Sequence, residues 1–152
     1  HWIRPMRIWC GDVSKTMAKF GYPHPAMEGE SLSQAIFEFD HQVTGLFEGI
    51  LTEVTNFSPE PPFRITGTLG ELVMGVGGFG VTLFNQDFTE GKKILEDQGY
   101  ISSFLHQFDD FYQCVKTPGR QPTASAEFSL GEMKTAFAME RSDREGKWID
   151  ID

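Results

Sequence analysis

Residues 75–80, GVGGFG, place glycines at 75, 77 and 80, the G-x-G-x-x-G spacing of a turn that cradles a dinucleotide pyrophosphate. Such a turn works only between a strand and a helix, because the helix's first amides must point at the phosphates. Here FGVTLFN, residues 79–85, alternates Phe79, Val81 and Leu83 with Gly80, Thr82 and Phe84, which is the two-residue period of a strand. Glu96 and Asp97 stand near the distance of a ribose-binding acid, but no strand–helix–strand unit joins them to the glycines. The segment reads as a glycine-rich turn or bulge, and this chain is expected to hold no cofactor.

Other reactive side chains group less well. His24, Glu28 and Glu30 in YPHPAMEGE are three potential metal ligands. The prolines deny them a shared helical face and no further ligand pair completes the set, so a solvated loop and no metal site are expected. His41 falls in a turn and His106 between the apolar positions of a helix; both are expected at the surface. Asp109 and Asp110 are sequence neighbours on that helix, point in different directions and do not form an acid–base pair. No G-x-S-x-G nucleophile elbow is present. Cys114 reads as a core thiol.

The elements that would position these groups follow from periodicity. Residues 2–10 read as the end of a helix, with Pro5 in its first turn and Gly11 closing it. Val13 to Phe20 reads as extended, and Pro23 and Pro25 make a loop. Residues 31–39 alternate Ala35, Phe37 and Phe39 against Gln34 and Glu38, a strand. Residues 40–42 form a turn and 43–54 a long strand; 58–62 is a proline-rich loop, and 64–68 with 71–76 makes a hairpin. Lys92 to Leu95 reads as a short edge strand. Ile101, Phe104, Leu105, Phe108, Phe111, Tyr112 and Val115 repeat at helical intervals, ending at Thr117–Pro118–Gly119. Ser129 and Glu132 have capping-box spacing and are expected to open a second helix that runs to about Arg144 and stops at Gly146; KWIDI closes the chain as a strand. The order predicts an α+β fold with a largely antiparallel open sheet and helices on one face, not alternating βαβ units.

Bulk properties narrow the function classes. The chain has 152 residues, of which 39% are hydrophobic and 13% aromatic, enough for one globular core. A net charge of −9 disfavours nucleic acid and anionic membrane as partners. No apolar run is long enough to span a bilayer. Cys10 and Cys114 have no framework spacing, which points to a reducing, cytoplasmic setting. The chain opens HWIRPMRIW, with no initiator Met and no secretory pattern, and is expected to be a fragment or a processed product. The long strand carries Val43, Phe47 and Leu51 on one face and Leu46, Ile50 and Val54 on the other. With both faces apolar, self-association is expected through Phe47 or Ile50.

HWIRPMRIWCGDV resembles the helix D-x-G-x-H-x-I-D-x-x-R-W-x-x-G-x-V of the Gfo/Idh/MocA oxidoreductases, the relatives of glucose–fructose oxidoreductase and inositol dehydrogenase, through His1, Ile3, Arg7, Gly11 and Val13. MEGESLSQAIFEFDHQVTGLFEG is similar to that family's G-E-D strand and hairpin. PPFRITGTLGELVM resembles its I-x-G-x-x-G-x-L turn through Ile65, Gly67, Gly70 and Leu72. The closing segment carries an A-x-x-x-S element at Ala138 and Ser142 and the G-K-W ending.

The resemblance covers nearly the whole chain and implies that residues 1–152 are a single C-terminal substrate and oligomerisation domain, cut at its N-terminal side. The NAD(P)-binding Rossmann domain, the Lys of the family's E-K-P motif and the Asp four places before the His would lie upstream. It implies, too, that the complete protein oxidises a sugar, polyol or related small molecule, with NAD or NADP as cofactor. His1 would orient or polarise the substrate as hydride leaves and a base takes the hydroxyl proton. A homodimer or homotetramer would form through the sheet face, and the chain alone would be inactive. Position 4, often Asp in the family, is Arg4 here. The alternative is a standalone, non-enzymatic dimerisation or binding module that shares the fold.

Overall fold

The computed structural model describes residues 2–51, 63–74 and 80–152. His1, the 58–62 loop, the end of the 43–54 strand and glycines 75 and 77 of the G-x-G-x-x-G segment lie outside the described residues. The elements are α1 (Ile3–Cys10), β1 (Val13–Gly21), β2 (Leu32–Phe39), β3 (Thr44–Ile50), β4 (Phe63–Gly67), β5 (Gly70–Met74), β6 (Val81–Phe84), β7 (Lys92–Leu95), α2 (Tyr100–Lys116), α3 (Ala126–Glu145) and β8 (Ile149–Asp150). The fold is α+β, and among the described residues every strand pairing is antiparallel. The strands form two four-stranded sheets, ordered β3-β2-β1-β8 and β4-β5-β6-β7, in two compact units.

The first unit holds α1, β1 to β3, α3 and β8. Alternation in β2 sets its faces, as expected: Ala35, Phe37 and Phe39 are buried, while Gln34 and Ile36 are exposed. Those inward residues join Val13, Ala18 and Met139 in the core, with Ile3, Met6 and Cys10 of α1 packed against it. Burying such apolar surface contributes about 1.5–3 kcal/mol for each large side chain. Phe47 belongs to this core, its ring 5.9 Å from that of Phe37. Of the two residues expected at a self-association surface, the structure therefore turns Phe47 inward and leaves Ile50 on the outer face.

β8 reaches only Lys15 and Thr16 of β1, so the rest of that edge needs other acceptors. The last turns of α3 provide them. Ser142, fully buried, accepts the Ala18 amide at 2.9 Å and donates to the Lys147 carbonyl at 2.6 Å. Asp143 accepts the Phe20 amide at 3.1 Å and the Lys19 ammonium at 2.6 Å. The A-x-x-x-S element is thus a packing and edge-capping device: Ala138 lets α3 lie close, and Ser142 closes the strand. Between β2 and β3, His41 and Gln42 both take positive φ, 59° and 63°, the mirror-image turn that matches the twist of a hairpin.

The second unit holds β4 to β7 and α2. Its I-x-G-x-x-G-x-L pattern is a tight hairpin in which Ile65 pairs with Leu72 and Gly67 with Gly70. Gly70 sits at φ 155°, and a Cβ there would lie 2.4 Å from the Phe84 carbonyl oxygen, so only glycine fits. β7 is the short edge strand expected at Lys92 to Leu95. α2 spans the predicted apolar helix, but none of its residues is buried, and Cys114 is half-buried rather than part of a core.

The start of α3 also departs from expectation. Ser125, not Ser129, is its N-cap and accepts the Phe128 amide at 3.2 Å. Ser129 and Glu132 lie one turn further in. An S-x-x-E spacing puts two polar groups on one helix face wherever it occurs, and here that face meets α1. Replacing Ser142 with Ala leaves a buried amide and a carbonyl without partners. A loss of about 2–4 kcal/mol is expected, read as a lower urea midpoint at unchanged slope.

Candidate functional site

α1 is the element that follows position 1, to which the resemblance assigns the chemistry. At eight residues, without a side-chain N-cap, it would be marginal alone. Two arginines tie it to α3. Arg7, 5% exposed, aims its guanidinium at the Asp12 carboxylate and the Phe128 carbonyl, with Nε 2.9 Å from Asp12 Oδ1. Its Cζ sits 4.3 Å from the centre of the Phe128 ring, a cation–π contact. Arg4 donates to Ser129 Oγ at 2.7 Å and lies 2.8 Å from Glu132 Oε1, with Phe128 again beneath it at 5.4 Å. Gly131 makes room for this stack, since a Cβ on it would lie 2.2 Å from Arg7 Nη2.

This arrangement holds a helix in place. Both guanidiniums are engaged by acids, carbonyl or hydroxyl. A cavity of about 230 Å³ opens beside Arg7, but Asp12, Glu127 and Asp152 line it with Lys134, so it does not favour an anion. Arg4 and Phe128 were not legible as a pair in the sequence. The available signal was two arginines three residues apart on an apolar helix, together with S-x-x-E on another.

The remaining candidates stay apart. His24 accepts the Ala26 amide on Nδ1 at 3.2 Å, while Glu28 and Glu30 are exposed; among the described residues no three His, Cys, Asp or Glu side chains gather as a metal set. His41 is exposed in its turn, and His106 is exposed with Nε2 3.4 Å from Gln98 Oε1. Three carboxylates have pKa values displaced downward, and each has a structural cause. Asp110 is held low by the Thr123 amide and then Arg120, and Asp143 by Lys19 and then the Phe20 amide. Hydrogen bonds from Arg141 and Lys147 hold Glu145 at about 2. These are ion pairs and loop ties, not an acid poised to donate.

The described residues do not fit a dinucleotide. The residues after Gly80 form β6 rather than a helix. A pyrophosphate needs free amides at a helix N-terminus, without a competing acid. α1 has Pro5 as its third residue, the Asp97 carboxylate accepts the Gly99 amide before α2, and α3 carries Glu127 in its first turn. Among the described residues no helix is long and apolar enough to cross a membrane.

No family model and no curated protein matches the chain by sequence. Solved structures match by fold. An NAD-binding oxidoreductase from Klebsiella pneumoniae superposes with a TM-score of 0.79 at 17% identity, over 99% of this chain and 48% of that one. Levoglucosan dehydrogenase, solved with NADH and L-sorbose, gives 0.79 at 16% identity, over 99% and 48%. The WlbA dehydrogenase from Bordetella pertussis, solved with NADH and UDP-GlcNAcA, gives 0.67 at 14% identity, over 100% and 43%. The chain therefore has the fold of one part of these oxidoreductases and spans about half their length or less.

Gly131 gives a test with a definite sign. Alanine in a helix interior ordinarily stabilises by up to about 1 kcal/mol relative to glycine. Here its methyl group must displace the Arg7 guanidinium, so Gly131→Ala is expected to destabilise by about 1–3 kcal/mol in chemical denaturation.

Proposed function

We propose that this chain is the C-terminal, substrate-side part of an NAD(P)-dependent oxidoreductase that acts on a sugar, polyol or related small molecule, and that it carries the surface through which the protein self-associates. The observation that supports this most is the match of nearly the whole chain to one part of dinucleotide-dependent dehydrogenases, two of them solved with sugar-type ligands. The lack of a fit to a dinucleotide among the described residues agrees with a division of labour. A partner domain supplies the cofactor, and this one supplies the wall against which substrate is held. A cytoplasmic setting belongs to the same reading.

In this reading His1 is the chain's own contribution to the chemistry. An imidazole just before α1 orients or polarises the substrate hydroxyl, and the arginine tie between α1 and α3 keeps that helix from shifting. The base that completes proton removal lies in the partner domain. Arg4 faces Ser129 and Glu132, so the role of an acid at its position in the family is not carried over here.

Two experiments test the reading. The complete gene product, with an upstream strand, G-x-G-x-x-G turn and helix, should bind NADH or NADPH at micromolar levels in calorimetric titration, whereas the isolated 152-residue chain should not. Saturable binding by the isolated chain overturns the division of labour. A native gene that starts near His1 favours a non-enzymatic module instead. In the complete protein, on a substrate found by screening sugars and polyols, His1→Ala should lower kcat/KM by about 10²–10⁴-fold. Near-normal turnover removes His1 from the site.

A further inference from the structure

α1 is turned inside out for a surface helix. Its two cations face the protein: Arg7 is buried and Arg4 half-buried, and both are tied to α3. Ile3, Met6 and Cys10 pack against the core. The outward side is apolar, with Trp2 49% exposed, Ile8 58% and Trp9 43%. A surface helix ordinarily shows the reverse, charge to water and an apolar stripe to the core. Trp2 has helical backbone angles, φ −81° and ψ −26°, so the spiral of α1 extends back to it. Trp2 and Trp9 are seven residues apart and share one side of that spiral, separated by about 10.5 Å along the axis. The two indoles differ in one respect: Trp2 is the residue next to His1, and Trp9 is two turns away.

We propose that Trp2 is the specificity-determining residue of the site, its indole face stacking on the C–H face of a ring-form sugar whose hydroxyl His1 orients. This rests on the oxidoreductase reading above and names the residue that selects its substrate. Consecutive Cα atoms are about 3.8 Å apart, so an indole at position 2 borders whatever the side chain at position 1 holds. In that reading the molecule there carries hydroxyls, and a purely aliphatic wall would strip them of water without return. An indole has a different surface. Its negative π face meets the weakly positive C–H groups on one side of a pyranose, and the hydroxyls at the rim of the ring stay available to polar partners.

A ring presents that C–H patch ready-made. An open-chain polyol must freeze several torsions to present one, and that ordering opposes binding. Trp9 lies beyond the reach of a single sugar ring held at position 1 and takes no part. It is an internal control of the same residue type, on the same helix, at similar exposure.

Steady-state kinetics of the complete protein on a pyranose and on an open-chain polyol, with Trp2→Ala, Trp2→Leu, Trp2→Phe and Trp9→Ala, tests this. For the wild type the pyranose is expected to have the lower KM by about tenfold or more. Trp2→Ala should raise the pyranose KM about tenfold with kcat within about twofold, the pattern of binding lost equally from ground and transition states. Trp2→Leu keeps apolar bulk without a flat face and should do the same, which covers the case in which alanine loosens the helix. Trp2→Phe keeps a flat face and should stay within about threefold of the wild type. The polyol KM should not respond to Trp2→Ala, and Trp9→Ala should leave both KM values unchanged. Equal effects of Trp2→Ala and Trp9→Ala overturn the proposal and mark the outward side of α1 as a packing surface for the cofactor-holding domain. A weaker NADH affinity in Trp2→Ala with an unchanged pyranose KM overturns it in favour of stacking on the nicotinamide. A wild type that turns over only open-chain polyols overturns it too. In all three cases NADH binding and turnover by the wild type leave the oxidoreductase reading standing. A complete protein that binds neither NADH nor NADPH overturns that reading, and this proposal with it.

Discussion

The guanidinium of Arg7 is the constraint on which the placement of α1 depends. It is buried, yet it meets the Asp12 carboxylate, the Phe128 carbonyl and the face of the Phe128 ring. An arginine can serve all three because its fork is planar and its flat faces accept an aromatic ring. Gly131 leaves the space, and Arg4 repeats the contact one turn earlier through Ser129 and Glu132. A short helix without a side-chain N-cap thereby acquires a fixed position against a long one. A buried charge is not by itself a source of stability, but removing its partners is costly. The pair therefore specifies where α1 sits more than how strongly it folds.

A second constraint acts at the other end of α3. β8 pairs with only two residues of β1, so the Ala18 and Phe20 amides on that edge depend on Ser142 and Asp143. α3 thus holds α1 at one end and closes the edge of β1 at the other. Between these fixed points the inner face of the sheet is filled by Phe37, Phe39, Ala18 and Met139. The outer face is left to Leu46, Ile36 and Ile50, with a row of polar side chains among them.

Much of this was legible in the sequence where a single period dominated. The Ala35–Phe37–Phe39 alternation, the apolar repeat of α2 and the short run at Lys92–Leu95 all gave the right elements. Long-range geometry was not legible. Both faces of β3 are apolar, so periodicity alone could not say that Phe47 turns inward; that depends on Phe37 lying beneath it. Ser129 and Glu132 looked like a helix start because capping and ion pairing use the same residue types at the same spacing. Only the position of α1 shows which applies. The I-x-G-x-x-G-x-L and A-x-x-x-S elements were readable as resemblances, and the structure supplies their physics: a hairpin too tight for a side chain at Gly70, and a hydroxyl that closes a strand edge.

In the proposed function this anchored helix serves a cofactor held by another part of the complete protein. The decisive measurement is a crystal structure of the complete protein with NADH and a substrate sugar or polyol. The expected result is the nicotinamide facing the N-terminal end of α1, with the His1 ring within hydrogen-bond reach of a substrate hydroxyl, about 2.6–3.2 Å. A nicotinamide bound away from α1, or a substrate held by residues of this chain far from position 1, would contradict it.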